Sequence, residues 1–328
     1  MSDPLLDLLR DLVAIDSVNP ALVPGAAGER AVALRLAREC QALGLVTEVA
    51  EVAPGRPNVV AVLEGRVPGP SLMFCGHTDT VGVAGMTRPF QPDVREGRLY
   101  GRGAVDMKGG LAAMVAAARV LVESGGLERG RLVLAAVVDE EHASLGAEAL
   151  VSRWRTDAAV VTEPTGLDVA VAHKGFEWVA VETRGRAAHG SRPLEGRDAI
   201  LRMGRVLGRL EMLGRQLEAR PPHALLGTAS LHASTIEGGQ ELSSYPARTL
   251  LQLERRTLPG EPPRVALGEV RAILDDLRRD DPEFDADVQP MFARDSYLLD
   301  PGSPLPGALL DAAATAGACP RRVGTTFW

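Results

Sequence analysis

The alternation of apolar and polar positions divides the chain into two stretches. In residues 4–161, segments with helical periodicity alternate with short apolar runs. Helices are predicted over 4–15, 28–43, 110–123 and 143–153, and strands over 46–52, 58–63, 71–74, 131–138 and 158–161. This order is typical of an α/β fold, in which helices cover both faces of a sheet.

After Lys174 the pattern changes. Strands are predicted over 177–183, 229–236, 249–254 and 284–288, and long helices over 198–218 and 264–279. These largely non-alternating elements indicate a smaller α+β domain inserted into the first one. A helix over 305–316 and a strand that starts at 322 then indicate a return to the first domain. The predicted boundaries are therefore 1–174, 175–293 and 294–328.

Composition and charge narrow the possible partners. A chain of 328 residues suits about two hydrophobic cores, and its 45% hydrophobic and 24% charged residues are typical of a globular protein rather than a membrane one. A net charge of -7 argues against nucleic acid and favours a small-molecule substrate. The start, MSDPLLDLLRDLVAIDS, lacks a basic segment followed by a long apolar run, so we expect no signal peptide and a cytoplasmic protein.

Cysteine usage restricts any metal site. Cys40, Cys75 and Cys319 are too few and too scattered for a disulfide framework or a thiolate zinc site. A bound metal would therefore be held by histidine and carboxylate side chains.

One stretch, LVLAAVVDEEHAS at 132–144, raises an electrostatic question. Asp139, Glu140 and Glu141 directly follow a run of aliphatic residues that predicts a buried strand. Adjacent ionised carboxylates repel one another, and an apolar surrounding leaves little water to weaken that repulsion. The pattern therefore predicts a positive partner at this strand end.

Three further clusters contain candidate ligands. In FCGHTDTV, His77 and Asp79 share a face of an extended chain, so Asp79 can orient the imidazole, although a plain polar turn fits equally well. In GRGAVDMKGG, Asp106 lies in a loop rich in glycine and taken alone is better explained as a helix cap. Glu163 follows another apolar strand, in VTEPTG.

Together these clusters predict a metal site. In an open α/β sheet, binding sites form beyond the carboxyl ends of the strands, and all four clusters lie at such ends or in the loop after one. One crevice would then collect His77, Asp106, Glu140, Glu141 and Glu163, with Asp79 behind them. So much negative charge predicts one or two dications.

The ordered motifs GHTDTV, GRGAVDMKGG, VVDEEHAS and VTEPTG resemble one enzyme family. It is the dinuclear zinc amidohydrolase and metallopeptidase family of acetylornithine deacetylase, succinyl-diaminopimelate desuccinylase, aminoacylase and glutamate carboxypeptidase. The resemblance extends over nearly the whole chain, including AAHGS at 187–191 and ERRTLPGE at 254–261. It implies a zinc-peptidase-like catalytic domain, with a mixed sheet covered by helices, and a smaller inserted α+β domain that serves as lid and dimerisation domain.

The resemblance also implies roles for the clustered residues. His77 and Glu163 would hold one zinc, Glu141 would hold the other, and Asp106 would bridge them. Cobalt or manganese could substitute, because such ligands discriminate weakly among these ions. Glu140 would be the general base and Asp79 would orient His77. The Asp106–Met107 peptide is expected to be cis.

Residues of the inserted domain receive roles by the same resemblance. His189 would stabilise the oxyanion at the partner subunit's metals, which requires a homodimer. Arg256 would bind a substrate carboxylate, for which a planar guanidinium is suited, although a solvated arginine beside Arg255 is the open alternative. Ser244 would make the polar contact for which many relatives use asparagine.

The expected activity is hydrolysis of the amide bond of N-acyl amino acids or of small peptides with a free carboxylate, as in deacetylases and carboxypeptidases. Aminopeptidase action would make Arg256 an obstacle. The family's last metal ligand is a histidine in a C-terminal segment, and no histidine follows His232. We therefore expect a truncated chain with one complete zinc site. The alternative is a catalytically impaired, metal-binding dimeric homologue.

Overall fold

The computed structural model describes residues 3–326, which contain seven α-helices and fourteen strands. The helices are α1 (Pro4–Ala14), α2 (Arg30–Ala42), α3 (Gly109–Glu123), α4 (Leu145–Arg153), α5 (Ala199–Glu218), α6 (Val265–Asp280) and α7 (Leu305–Thr315). The strands are β1 (Val46–Ala53), β2 (Arg56–Glu64), β3 (Val67–His77), β4 (Asp93–Arg95), β5 (Arg98–Tyr100), β6 (Arg129–Val137), β7 (Ala158–Val161), β8 (Val169–His173), β9 (Gly175–Arg184), β10 (Ser230–Gly238), β11 (Arg248–Thr257), β12 (Asp285–Arg294), β13 (Tyr297–Leu298) and β14 (Arg322–Thr325). Every predicted helix and strand is present, whereas the hairpin of β4 and β5 and strands β8 and β13 were not predicted.

The chain divides into two compact units, Met1–Gly166 and Leu167–Trp328. In the first unit, the described strands form a mixed sheet in the order β1-β2-β6-β3-β7. Strand β3 runs parallel to β6 and β7, whereas β1, β2 and β6 pair antiparallel. Helices α1, α2 and α3 pack in one core cluster, and α4 contributes to a second cluster with other residues of the same strands. The predicted α/β class with a mixed sheet covered by helices is confirmed.

Strand β6 explains why the sheet is covered on both faces. Leu132 and Leu134 belong to the core with α1, α2 and α3, whereas Val133 and Val137 belong to the core with α4. A central strand that is buried on both sides needs a continuous apolar run, which the sequence provides. Because β3, β6 and β7 are parallel, their carboxyl ends lie at one edge of the sheet.

The second unit contains an antiparallel sheet in the order β10-β11-β9-β12 among the described strands. Helices α5 and α6 pack against it around a core that includes Val181, Met203, Leu253 and Leu274. A smaller sheet joins β8 antiparallel to β13 and parallel to β14. The strand predicted to start at 322 is therefore present. The domain boundaries at 174 and 293 stay a prediction.

Membrane insertion through a helix has no support in the described part of the chain. Within residues 3–326, none of the helices combines the length and the apolar character needed to cross a bilayer.

Gly146, near the start of α4, makes a testable close contact. A Cβ there would lie 2.4 Å from Val138 N and 2.5 Å from Val138 O, and backbone atoms cannot move aside as a side chain can. We expect Gly146→Ala to lower the free energy of unfolding by about 1–3 kcal/mol in urea titrations. Gly208→Ala in α5, where a Cβ meets nothing within 4 Å, should raise it by about 0.4–1 kcal/mol. Equal stability of the two variants would contradict this packing.

Candidate metal centre

His77 is the last residue of β3 and its side chain is only 1% exposed. Its Nδ1 lies 2.9 Å from the backbone O of Asp79. Because a carbonyl can only accept, Nδ1 carries a proton, and Nε2 faces the acids of neighbouring strand ends. Nε2 lies 2.9 Å from Asp106 Oδ1, 3.6 Å from Glu163 Oε1 and 3.7 Å from Glu140 Oε2.

Asp106 reaches His77 from an irregular turn over Ala104–Lys108 that precedes α3. The predicted cis peptide between Asp106 and Met107 is present. Gly110 fixes the distance between this turn and β7, because a Cβ there would lie only 2.4 Å from Thr162 O. The missing side chain thus lets Asp106 approach the strand end that carries Glu163.

His77, Asp106 and Glu163 form a group whose ligand atoms all lie within 4.8 Å of one another. One imidazole nitrogen and two carboxylates are the donor types that zinc and similar first-row dications take in proteins. The group draws on β3, the turn before α3 and the loop after β7, as the strand-end argument predicted. These side chains fit a dication.

Glu140 and Glu141 lie in the turn after β6, and the Asp79 carboxylate accepts hydrogen bonds from their backbone N–H groups. Oδ1 of Asp79 accepts from Glu140 N at 3.1 Å, and Oδ2 accepts from Glu141 N at 3.1 Å. The same carboxylate lies 3.6 Å from His77 Nδ1, further away than the Asp79 carbonyl. Asp79 therefore orients His77 through its carbonyl oxygen and the glutamates through its carboxylate.

The electrostatics of the centre reflect an excess of acid. Burial lowers the pKa of His77, but its hydrogen bond to Asp106 and the charges of three further acids raise it to about 10. Burial, with added repulsion from neighbouring acids, raises the pKa of Glu140 to about 8 and that of Glu141 to about 7. The hydrogen bond from His77 holds the pKa of Asp106 below its usual value. A single imidazolium thus leaves part of the negative charge uncompensated, which a dication would balance.

Asp139, the first of the three adjacent acids, has a separate partner. Its Oδ1 accepts from Arg56 Nη2 at 2.8 Å and from Asn19 Nδ2 at 3.1 Å. Arg56 also pairs with the fully buried Glu29, through an Nε–Oε2 contact of 2.9 Å among others. Sequence analysis missed this arginine, asparagine and glutamate. The only sequence feature that pointed to this network was a single arginine, Arg56, just before a predicted buried strand.

In the second unit, His189 and Ser244 lie together as an isolated antiparallel bridge. His189 is exposed, and its Nδ1 accepts from the backbone N of Ser191 at 3.2 Å. Because Nδ1 accepts this hydrogen bond, Nε2 is the ring nitrogen that carries a proton and can donate it. The hydroxyl of Ser244 donates to Glu241 Oε1 at 2.5 Å.

Arg256 lies on β11 with a side chain that is 29% exposed. Its Nε donates to Glu254 Oε1 at 2.6 Å, and its guanidinium lies 5.3 Å from the centre of the Phe176 ring. Nη1 is buried and makes no hydrogen bond with the described residues. Arg256 is therefore only partly exposed to solvent, and one of its guanidinium nitrogens has no hydrogen-bond partner among the described residues.

The fold is of the α/β type, and the centre contains a group of side chains that could hold a metal ion. The family model for peptidase family M20/M25/M40 matches residues 73–326, and the chain belongs to this family.

Two curated relatives and one solved structure illustrate the similarity. Acetylornithine deacetylase of Myxococcus xanthus is 33% identical over 243 residues, which cover 71% of this chain and 62% of that protein. Succinyl-diaminopimelate desuccinylase of Gluconacetobacter diazotrophicus is 35% identical over 280 residues, 78% of this chain and 68% of that protein. The Bacillus subtilis YXEP protein, described as a dinuclear metal binding peptidase from this family, has a TM-score of 0.72 at 16% identity and covers 99% of this chain and 82% of its own. The last similarity shows the fold. This chain thus spans about two thirds of the length of the two curated relatives.

Zinc should stabilise the native protein through the group of His77, Asp106 and Glu163. A ligand that binds only the folded state, at a concentration 100 times its dissociation constant, raises the free energy of unfolding by about 2.7 kcal/mol. Thermal unfolding of chelator-treated protein should therefore shift upward when zinc is added. Glu163→Gln should lose most of that shift, and Glu128→Gln, at an exposed position of the same unit, should keep it. An equal shift in both variants would exclude Glu163 as a ligand.

Proposed function

We propose that this protein is a metal-dependent hydrolase that cleaves the amide bond of N-acyl amino acids, or of small peptides with a free carboxylate. The observation that carries the proposal is the group of His77, Asp106 and Glu163 with Glu140 3.7 Å from the imidazole. The names of the deacetylase and desuccinylase relatives support the substrate class.

Zinc is the proposed ion, with cobalt and manganese as possible substitutes. His77 and Glu163 would hold one ion, Asp106 would be shared, and Glu141 would hold a second. Bound dications supply Lewis acidity, which polarises an amide carbonyl and lowers the pKa of water. The three side chains proposed for the first ion have ligand atoms that all lie within 4.8 Å of one another.

Glu140 is the proposed general base. Its carboxylate is partly buried, with 29% of the side chain exposed, and it lies outside the group of three ligands. It can take a proton from the attacking water and return it to the amine nitrogen that leaves. Asp79 supports this role by holding the backbone N–H of Glu140.

Residues of the second unit are proposed to bind the substrate. The planar guanidinium of Arg256, whose side chain is 29% exposed, suits a substrate carboxylate. His189 can donate its Nε2 proton to an oxyanion of the partner subunit's substrate, and the Ser244 oxygen can accept a hydrogen bond. An aminopeptidase would instead need an acidic or carbonyl group for a free amine, which Arg256 opposes.

A catalytically impaired, metal-binding dimeric homologue is the second candidate. Turnover distinguishes the two. Hydrolysis of any compound in a panel of N-acetyl and N-succinyl amino acids supports the enzyme. Tight zinc binding without turnover on the whole panel supports the homologue.

Replacement of the proposed base gives the direct mutational test. Glu140→Gln should lower kcat by about 10²- to 10⁴-fold, because general bases contribute in that range. Zinc content, measured by elemental analysis after gel filtration, should stay the same because Glu140 is not a ligand. Glu128→Gln is the matched control for loss of one carboxylate. Wild-type turnover in Glu140→Gln would reassign the base.

The homodimer is proposed to form through the second unit. Strand β10 lies at the edge of its sheet among the described strands and is largely exposed, with Ile236 at 52%, and the adjacent α5 exposes Leu201 at 71%. An edge strand with apolar neighbours favours pairing with a second copy.

A cytoplasmic location stays a prediction.

Light scattering at micromolar concentration should therefore give the mass of a dimer. Ile236→Glu should shift the protein toward monomer, because the charge would be buried at the interface. Val151→Glu, at a 54% exposed position on α4, should leave the dimer intact. A monomeric wild-type chain would contradict this assembly.

A further inference from the structure

Asn19 lies in the segment between α1 and α2, is fully buried and uses every hydrogen-bonding position of its amide. Nδ2 donates to Asp79 Oδ2 at 2.8 Å and to Asp139 Oδ1 at 3.1 Å. Oδ1 accepts from Ala21 N at 2.9 Å and from Arg56 Nη2 at 3.2 Å. Because one end of the amide faces only acceptors and the other only donors, its orientation is fixed.

The two acids that share the Asn19 amide are fully buried and differ in their other partners. Asp139 also receives the guanidinium of Arg56 at 2.8 Å. Asp79 receives the backbone N–H groups of Glu140 and Glu141. The amide thus lies between two carboxylates that would otherwise repel each other, and gives each one a hydrogen.

The backbone of Asn19 is held as firmly as its side chain. Its N donates to Thr80 O at 2.9 Å, and Thr80 N donates to Ser17 O at 3.0 Å. The segment that carries Asn19 therefore pairs with the chain directly after Asp79. The position of the amide is set relative to the Asp79 carboxylate that it contacts.

Both proposed ions depend on Asp79. Its carbonyl fixes the imidazole of His77, a ligand of the first ion, and its carboxylate fixes the backbone of Glu141, a ligand of the second. We propose that Asn19 is a positioning residue of the metal centre, because it keeps the Asp79 carboxylate facing Glu140 and Glu141. The inference rests on the metal-dependent function proposed above and assigns no contact between Asn19 and an ion.

The test measures zinc affinity of the full chain by competition with a chromophoric chelator. Asn19→Ala removes the hydrogen bond to Asp79, and zinc affinity should fall by about 10- to 100-fold, the usual cost of losing a partner behind a metal ligand. Asn58→Ala is the matched control. Asn58 is also buried and holds the same loop through Val138 N and Gly146 O, but its amide contacts no carboxylate in the described residues. The Asn58→Ala variant should be less stable than the wild type and should keep the zinc affinity of the wild type.

A double variant separates positioning from charge balance. Asn19→Asp with Asp139→Asn keeps the number of acids and amides, but it leaves the Asp79 carboxylate facing another acid. This variant should unfold at a lower temperature than the wild type, because two buried acids then face each other, and its zinc affinity should stay as low as in Asn19→Ala although the number of acids is unchanged. Recovery of both properties would overturn the proposal, as would wild-type affinity in Asn19→Ala.

The zinc-affinity comparison does not depend on whether the protein hydrolyses any of the tested compounds. If the wild type binds zinc but hydrolyses no compound of the panel, the proposed function is contradicted and the affinity comparison still decides the role of Asn19. If the wild type is active, kcat should fall more than KM changes in Asn19→Ala, because Glu140 is displaced while the substrate-binding residues are not.

Discussion

The repulsion among acids at one edge of the larger sheet is the constraint on which the structure depends. Parallel pairing of β3, β6 and β7 brings their carboxyl ends together, and each of these ends is followed by acidic residues. The acidic residues at this edge form two separate sets. Arg56 compensates Glu29 and Asp139 inside the protein, and the acids around His77 keep an excess that suits a dication. The separation matters because an arginine near His77 would compete with a metal for the same carboxylates.

Much of the centre was predictable because it depends on where strands end. Apolar runs indicate buried strands, and parallel strands share an edge, so His77 and Glu163 could be placed together from sequence. Asp106 was harder to place. It was included in the predicted crevice, but its exact position depends on an irregular turn and on the close approach of Gly110 to Thr162 O, neither of which was predicted.

The supporting network could not be predicted for a physical reason. Asn19, Arg56 and Asp139 come from distant parts of the chain, and single polar residues carry no periodic signal. The short strands β4, β5 and β13 were missed because two or three residues give too little alternation to detect. The Asp79 carboxylate was expected to act on the imidazole, but the carbonyl has the shorter contact. Side-chain and backbone oxygens of one residue cannot be distinguished from spacing.

Two adjacent arginines on β11 link the alignment of this strand to the substrate contact proposed for Arg256. Arg255 is fully buried and pairs with Glu261 at 2.6 Å and with Glu269 of α6 at 3.1 Å, whereas Arg256 faces the opposite side of the sheet beside Phe176. Neighbouring side chains on a strand alternate between faces, so a slip of one residue that brings Glu254 to the position of Arg255 would move Arg255 to the other face. The slipped strand would leave Glu261 and Glu269 without their guanidinium, at the cost of buried unpaired charge. Arg255 thus keeps Arg256 on the face of the sheet that carries Phe176.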